Sequence, residues 1–474
     1  MNMAKEILYF SLMEFLEVLY TQELPGNNEN SKNDYFSIMN TYLQEYSKSL
    51  NKKEFEEILS KASQLSKRDF GDVSNHYKAI HSYKTRRWLF GNKNLYPLLV
   101  DSLKYTNNYV SELFTFDENK KLEVISSIIN QNSGKKDLYE KTVNKERRSG
   151  KYCSSVLDGV IEKEAAYSRL ETKNIAICAT MSAGKSTLVN ALLGNDVLPA
   201  RNEATTAKIT SVYDKDGLKV LKGFCKRDQE RIFSYNLNLQ TLDSWNSDNK
   251  IEHIYIQGDM DGIKNTEKYA LAVHDTPGTN NSLDHSHYKT TMDFLKNEKI
   301  DLLIYVANFE QMLTNDEQFL LKEIYSKVIK IKKIPMLFVI NKVDSYDKQK
   351  EDYNEVIRKV SLNLEALGFN QYQILPVAAK PARLIKMALC GKSSQFSEKE
   401  CDGFSSIVNK FTKRININEI SSKKVTYEDS LIYGNEDSDT IVIDGESFEL
   451  EKLRQALVNT GLIGIEKIIE EYIE

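Results

Sequence analysis

Proline is scarce in this chain, 7 residues in 474, and glycine numbers only 20. That scarcity excludes collagen-like and low-complexity disordered classes and leaves an ordered, helix-rich, soluble composition. Cysteine is scarcer still: Cys153, Cys178, Cys225, Cys390 and Cys401 are odd in number, far apart and without a CxxC pair. Neither a disulfide framework nor a zinc site is suggested, and reduced thiols in a cytoplasmic protein are the expectation. An excess of positive charge is missing too. The formal net charge is −4 and the isoelectric point is near 6.0, which gives no electrostatic basis for binding nucleic acid. No run reaches the ~18 uninterrupted apolar residues of a membrane span. Residues 7–20 come nearest, but Glu14 and Glu17 interrupt them and no small-residue cleavage site follows. That pattern argues against a signal peptide. The chain is expected to be cytoplasmic, and at most peripheral to a membrane.

What is present is length and a change of texture. A chain of 474 residues is too long for one domain of average size, so two or three folding units are expected. Residues 1–169 carry apolar positions three and four apart, broken by Asn, Gly and Ser, and predict a helical domain. From residue 170 to 388 short apolar runs alternate with helical segments: NIAIC, LKVLKGFC, HIYIQ, YALAVHD, DLLIYVAN, PMLFVIN and YQILPVAA. Strands recurring between helices, each nearly apolar throughout, predict an α/β domain with a mainly parallel sheet and helices on both faces. Residues 389–448 are polar and acidic and read as an insertion, with a small hairpin turning at Asp444-Gly445. Residues 449–474 read as closing helices that pack back on the sheet.

Open parallel sheets bind ligands at the carboxyl ends of their strands. After NIAIC comes Ala179-Thr-Met-Ser-Ala-Gly184-Lys185-Ser186, followed by the helical STLVNALLG. This is a phosphate loop lacking its first glycine, replaced by Ala179. If that position requires a left-handed backbone, alanine costs about 1–2 kcal/mol. Backbone N–H groups from Ala179 to Thr187 can cradle phosphates, Lys185 can reach the outer ones, and Ser186 can ligate Mg²⁺. YALAVHD ends in Asp275-Thr-Pro-Gly278, an acid for the metal and a glycine N–H for the terminal phosphate. PMLFVIN ends in Asn341-Lys342-Val343-Asp344. The Asp344 carboxylate can accept both the ring N–H and the exocyclic amine of guanine, donors that adenine lacks. Three such elements, in this order and each at a strand end, predict a guanine-nucleotide site.

The order resembles the GTPase signature, and the details are similar to the dynamin family in its bacterial dynamin-like branch. The likeness is carried by Ser182-Ala183-Gly184-Lys185-Ser186-Thr187, by VLPARNEATTAKIT and by DLLIYVANFEQMLTNDEQFLL. It covers roughly residues 170–385 and the closing helix. The resemblance implies that Ser182 lies beside the β–γ bridging oxygen, helping to hold a monovalent cation. It implies that Thr206, with Thr205 as the alternative, completes the magnesium shell and fixes the attacking water. Gly278 would sense the γ-phosphate, and Ala379-Lys380 would form the loop that contacts the base. Residue 279 is Thr, where Ras-type enzymes carry a water-orienting glutamine. The resemblance therefore implies hydrolysis stimulated when two G domains meet, by self-association or with a second dynamin-like chain.

Other residues carry weaker signals. Arg201 is expected to be a solvated loop arginine, His285 and His287 surface histidines without a third metal ligand, and His274 a packed neighbour of Asp275. The cationic stretches 84–88 and 145–151 are expected to be solvated faces, with anionic lipid as the alternative. Two functions stand: a GTP-hydrolysing dynamin-like protein linked to membranes, or a slow GTPase switch acting on a protein or ribosomal partner.

Overall fold

Buried apolar runs build the sheet. In the computed structural model the described residues are 170–198, 208–279, 285–345, 352–434 and 439–473, less 219, 229, 264 and 267, with a few positions among 6–17, 57–61 and 166–167. The chain divides into two units. One comprises Leu170–Gln229 and Asn236–Glu474, the other Asn2–Arg169 and Glu230–Tyr235.

In chain order the elements are β1 (Glu171–Ala179), α1 (Lys185–Leu193), β2 (Ile209–Asp214), β3 (Lys222–Arg227), β4 (Glu230–Ser234), α2 (Leu239–Ser247), β5 (Ile251–Gly258) and β6 (Tyr269–Asp275). There follow α3 (His285–Asn297), β7 (Leu302–Asn308), α4 (Asn315–Ile324, running on through a π segment, Tyr325–Ile329), β8 (Met336–Asn341), α5 (Tyr353–Leu367), β9 (Tyr372–Val377) and α6 (Ala379–Leu389). The C-terminal part holds α7 (Glu398–Lys413), the hairpin β10 (Thr440–Ile443) and β11 (Glu446–Glu449), α8 (Leu450–Asn459) and α9 (Leu462–Ile473).

Within the first unit the strands run β3-β5-β2-β6-β1-β7-β8-β9. Five of these pairings are parallel, and β2–β6 and β3–β5 are antiparallel. Every residue of β7 and β8 is buried, as expected of strands covered on both faces. Register brings the functional strand ends to one edge. Ile177 pairs with Asp275, Ala179 with Val306, Asn308 with Asn341, and Asn341 with Val377. Because β2 runs antiparallel to β6, Thr210 pairs with Asp275 and β2 begins at that same edge.

Two strands escape the sequence reading, β2 and β4. All six residues of β2 are buried although Thr210, Ser211 and Asp214 are polar. Their place in the interior depends on distant partners. The Ser211 hydroxyl lies 2.7 Å from His253 Nε2 and 2.7 Å from His274 Nδ1. His274 Nε2 in turn lies 3.2 Å from Asn174 Oδ1, so a polar ladder crosses β5, β2, β6 and β1. His274 is therefore more than a packed neighbour of Asp275.

Burial pushes the His274 imidazole from 6.5 down to about 3, so the native state keeps it neutral where the unfolded chain protonates it. Its contribution is complete above pH 6.5 and falls away as pH drops toward 3. Between pH 7 and 5 this one residue is expected to remove about 2 kcal/mol of stability. Urea unfolding of the native chain and of His274→Gln at both pH values checks it. The variant should lack that share of the loss, and an equal pH dependence in both proteins would refute the assignment.

The C-terminal helices form a layer tied to α1. Lys386 on α6, fully buried, donates to the Leu192 carbonyl at 2.6 Å and pairs with Glu466 of α9 at 2.7 Å. Arg383, one turn earlier, holds both oxygens of Asp196 at 2.6 Å and also bonds Glu400 of α7. α9 packs on α1, β6 and β9, and α7 on α6 and α8. The β10–β11 hairpin turns at Asp444 (φ 47) and Gly445 (φ 80), the two positive angles that a type I′ turn demands.

In the second unit the Tyr9 ring lies 5.8 Å from Phe233, under the Arg231 guanidinium, and the Tyr235 hydroxyl donates to the Ile58 carbonyl at 3.3 Å. Beyond such positions, the N-terminal helical stretches and both cationic stretches named above lie outside the described residues. Among the described residues no helix is long and apolar enough to cross a membrane.

Candidate nucleotide site

The turn between β1 and α1 is shaped by two left-handed residues, Ser182 (φ 60) and Gly184 (φ 88). Ala179 is not one of them: it ends β1, buried and without a positive φ. The missing first glycine therefore costs no left-handed strain in this loop. Gly184 is the position that needs glycine, because a Cβ there would stand 2.2 Å from Asn341 Nδ2. It is also the N-cap of α1, with no side-chain cap. The first N–H groups of the helix thus face outward at its positive end, ready for an anion. Ser182 is exposed, Ala183 buried, and Thr187 half-buried.

Asp275, fully buried at the end of β6, grips the other two phosphate-loop residues. Its Oδ1 accepts from Lys185 Nζ, and its Oδ2 from the Ser186 hydroxyl at 2.9 Å. The next four residues run beside the phosphate loop. Thr276 bonds the Ile177 carbonyl through N (3.3 Å) and Oγ1 (2.8 Å), and Thr279 N donates to the Ala179 carbonyl at 3.3 Å. Thr291 of α3 secures Pro277 by donating to its carbonyl at 3.1 Å. At Gly278 an added Cβ would make only ordinary contacts, 3.5 Å from Met181. Packing among the described residues does not explain glycine there.

Asn341 joins three segments of the chain. Its Nδ2 donates to the Ala183 carbonyl at 2.9 Å, and its Oδ1 accepts from Lys342 N at 2.8 Å and from Ala379 N at 3.0 Å. One buried side chain thus fixes the phosphate loop, the turn after β8 and the start of α6, where the sequence suggested a loop at Ala379-Lys380, relative to one another. Lys342 is left-handed (φ 63) and half-buried, Asp344 is half-buried in the turn Val343–Ser345, and Lys380 is exposed.

Thr206, Thr205 and Arg201 lie outside the described residues. His285 opens α3, its side chain undescribed, and His287 is buried at 6% exposure rather than on the surface as the sequence suggested. Burial pushes the Cys178 thiol up to about 12, which leaves it unreactive beneath the loop. The four described cysteines are all free.

Two contributors carry no motif signal. Asn190 of α1 accepts from Val197 N (3.2 Å) and Leu198 N (2.8 Å) and donates to the Leu198 carbonyl (2.7 Å). It pins the chain just before residue 199. Lys410 of α7 reaches Asp344, donating to its carbonyl at 2.9 Å with Nζ 3.6 Å from Oδ2. An asparagine within an otherwise apolar helical run was the only hint of the first, and nothing local announces the second.

Fold and site geometry together define a GTPase domain. Residues 175–343 match the model of the dynamin family, and over that segment the chain is similar to a dynamin-family GTPase domain. An uncharacterized protein in the xynA 3′ region of Caldicellulosiruptor sp. (strain Rt8B.4) is 29% identical over 248 residues, 51% of this chain and 55% of that protein. Among solved structures the chain is similar to an oligomerised bacterial dynamin pair described as sensing and tethering membranes at long range. The two are 18% identical with a TM-score of 0.37, over 84% of this chain and 60% of that one. A point variant of Era from Aquifex aeolicus bound to GDP.AlF4⁻ is 19% identical with a TM-score of 0.26, over 44% of this chain and 52% of Era. The chain thus spans between half and three-fifths of the length of these relatives.

Proposed function

We propose that this protein binds GTP and Mg²⁺ at the edge formed by β1, β6 and β8 and hydrolyses the β–γ phosphoanhydride. The observation that carries the reading is the buried Asp275 carboxylate joined at once to Lys185 and Ser186. With nucleotide bound, Lys185 would turn from Asp275 to phosphate oxygens, and Asp275 and Ser186 would be the residues that hold the metal. Two hard oxygen donors already 2.9 Å apart fit magnesium, which neutralises charge on the β- and γ-phosphates when bound. Ser182 is proposed to lie beside the bridging oxygen with a monovalent cation, and Gly278 to meet the γ-phosphate. Thr206, or Thr205, is proposed to complete the metal shell and hold the attacking water. The entry of β2 opposite Asp275 supports that role, since Thr210 is only a few residues further along. Asn341, Lys342, Asp344, Ala379 and Lys380 are proposed to hold guanosine. The chemistry is positioning and charge neutralisation, with no covalent intermediate.

In this reading 170–388 is the G domain, 1–169 a helical domain, 389–448 an insertion, and 449–474 a closing layer. Without a glutamine after Gly278, turnover is slow alone and rises when G domains meet, in self-association or with a second dynamin-like chain. Peripheral contact with a membrane from the cytoplasmic side extends the reading on family likeness alone. GTP turnover measured against protein concentration, with and without anionic liposomes, tests it. The rate per molecule should rise with concentration, and a flat rate under all conditions would remove self-activation. Calorimetry that detects no heat with GTP or GDP in magnesium would remove the site itself.

A further inference from the structure

We propose that Lys410 is a positioning residue for guanine selection, holding the turn that presents Asp344 from outside the G-domain core. The proposal rests on the nucleotide reading above and adds to it a residue from the 389–448 segment.

The base-reading turn is weakly secured by its own residues. Ser345 returns to the Lys342 carbonyl through N (3.1 Å) and Oγ (2.8 Å), and the Val343 side chain is buried. Those contacts fix the backbone before and after Asp344 but leave its side chain unheld. Among the described residues, Lys410 is the cation within ion-pair distance of that carboxylate. Its ammonium also donates to the carbonyl of the same residue at 2.9 Å. An ordinary exposed ion pair contributes little, because two long side chains must be ordered in water. Here one end is pinned to backbone, so the ammonium is placed before any ligand arrives.

The placement is rigid because α7 is rigid. Ser397 and Glu400 form a capping box at its start, and Glu400 is also bound by Arg383. Phe404, Val408 and Phe411 bury its inner face, and Asn459 of α8 donates to the Phe411 carbonyl at 2.7 Å. Lys410 is one residue from that clamp. Its reach to Asp344 is therefore set by the packing of α7 on α8 rather than by a flexible loop.

The chemistry is complementary to guanine. A carboxylate has four lone-pair directions and guanine's ring N–H and exocyclic amine use two. An ammonium beyond Oδ2 leaves those two available while its charge offsets the desolvation of Asp344 beneath the base. Adenine offers the carboxylate no such donors, so Lys410 improves the fit of guanine alone.

The test uses the full chain in magnesium, with GDP and ADP affinities measured by competition for native protein, Lys410→Met and Lys410→Arg, each also in an Asp344→Ala background. Lys410→Met is expected to weaken GDP about tenfold and to leave ADP unchanged, while Lys410→Arg retains most of the affinity. In the Asp344→Ala background the methionine should have no further effect, because its influence passes through the missing carboxylate. Equal losses of GDP and ADP, an unchanged GDP affinity, or a full loss persisting without Asp344 would each overturn the proposal. Native protein that binds no GDP would instead sink the nucleotide reading, and this proposal with it.

Discussion

Lys185→Ala is expected to lower GTP turnover about a thousandfold, the loss seen when one preorganised donor is taken from a developing phosphoryl charge. The structure adds a second, separable consequence. Lys185 is 6% exposed and Asp275 fully buried, so the substitution leaves a carboxylate in the interior with only the Ser186 hydroxyl. Removing one partner of a buried pair costs about 3–5 kcal/mol, enough to lower the melting temperature by about 10 °C. Activity and stability are then separated by a second variant. Lys185→Ala with Asp275→Asn removes the orphaned charge and should recover most of the melting temperature, yet none of the turnover. Turnover within about tenfold of native in Lys185→Ala would refute the phosphate-binding role assigned to this lysine. So would recovery of activity in the double variant.

What could be read from the chain, and what could not, divides by the range over which a residue's role is decided. The phosphate loop, Asp275-Thr-Pro-Gly278 and Asn341-Lys342-Val343-Asp344 are local: a few residue types in fixed order at the end of an apolar run. β7 and β8 were legible for the same reason, since full burial demands unbroken apolar sequence. The Asp444-Gly445 turn was legible because positive φ at two successive residues restricts which residues can stand there. β2 was not, because ITSVYD looks like loop until His253 and His274, 42 and 63 residues away, satisfy Ser211. Ala179 shows the converse. A motif that lacks a glycine reads as strained, and only the backbone reveals that the left-handed angle falls on Ser182 instead. Lys386, Arg383 and Lys410 act through tertiary packing alone and left no local trace.

That packing also gives the C-terminal segment a physical role. α1 begins at the phosphate loop and ends where Lys386 caps the Leu192 carbonyl and Arg383 holds Asp196. The same two side chains bind Glu466 of α9 and Glu400 of α7. A shift of the phosphate-loop helix therefore strains the ion pairs to α9 and α7, and α7 is the helix that carries Lys410. The C-terminal helices are thus tied to the helix that follows the phosphate loop, although they follow the matched family segment in the chain.

The largest change in specificity is expected from Asp344→Asn. Guanine presents two donors to this residue, the ring N–H and the exocyclic amine, and a carboxylate accepts both. An asparagine amide offers one acceptor and one donor, so its NH₂ group meets the guanine amine donor to donor and both are left unpaired. Xanthine carries a carbonyl where guanine carries the amine, which restores a donor–acceptor pair with the amide. GTP affinity should fall about 10³- to 10⁴-fold, with XTP becoming the preferred nucleotide. The fold should tolerate the exchange. Asp344 is half-buried, its backbone carbonyl still accepts from Lys410, and Asn341 remains the clamp on the surrounding loops. The melting temperature should therefore stay close to native while the base preference inverts. Competition between GTP, XTP and ATP for the purified variant reads the outcome directly. Unchanged preference for GTP in a folded Asp344→Asn protein would mean that another group reads the base, and it would remove the reason for placing guanosine beside β8.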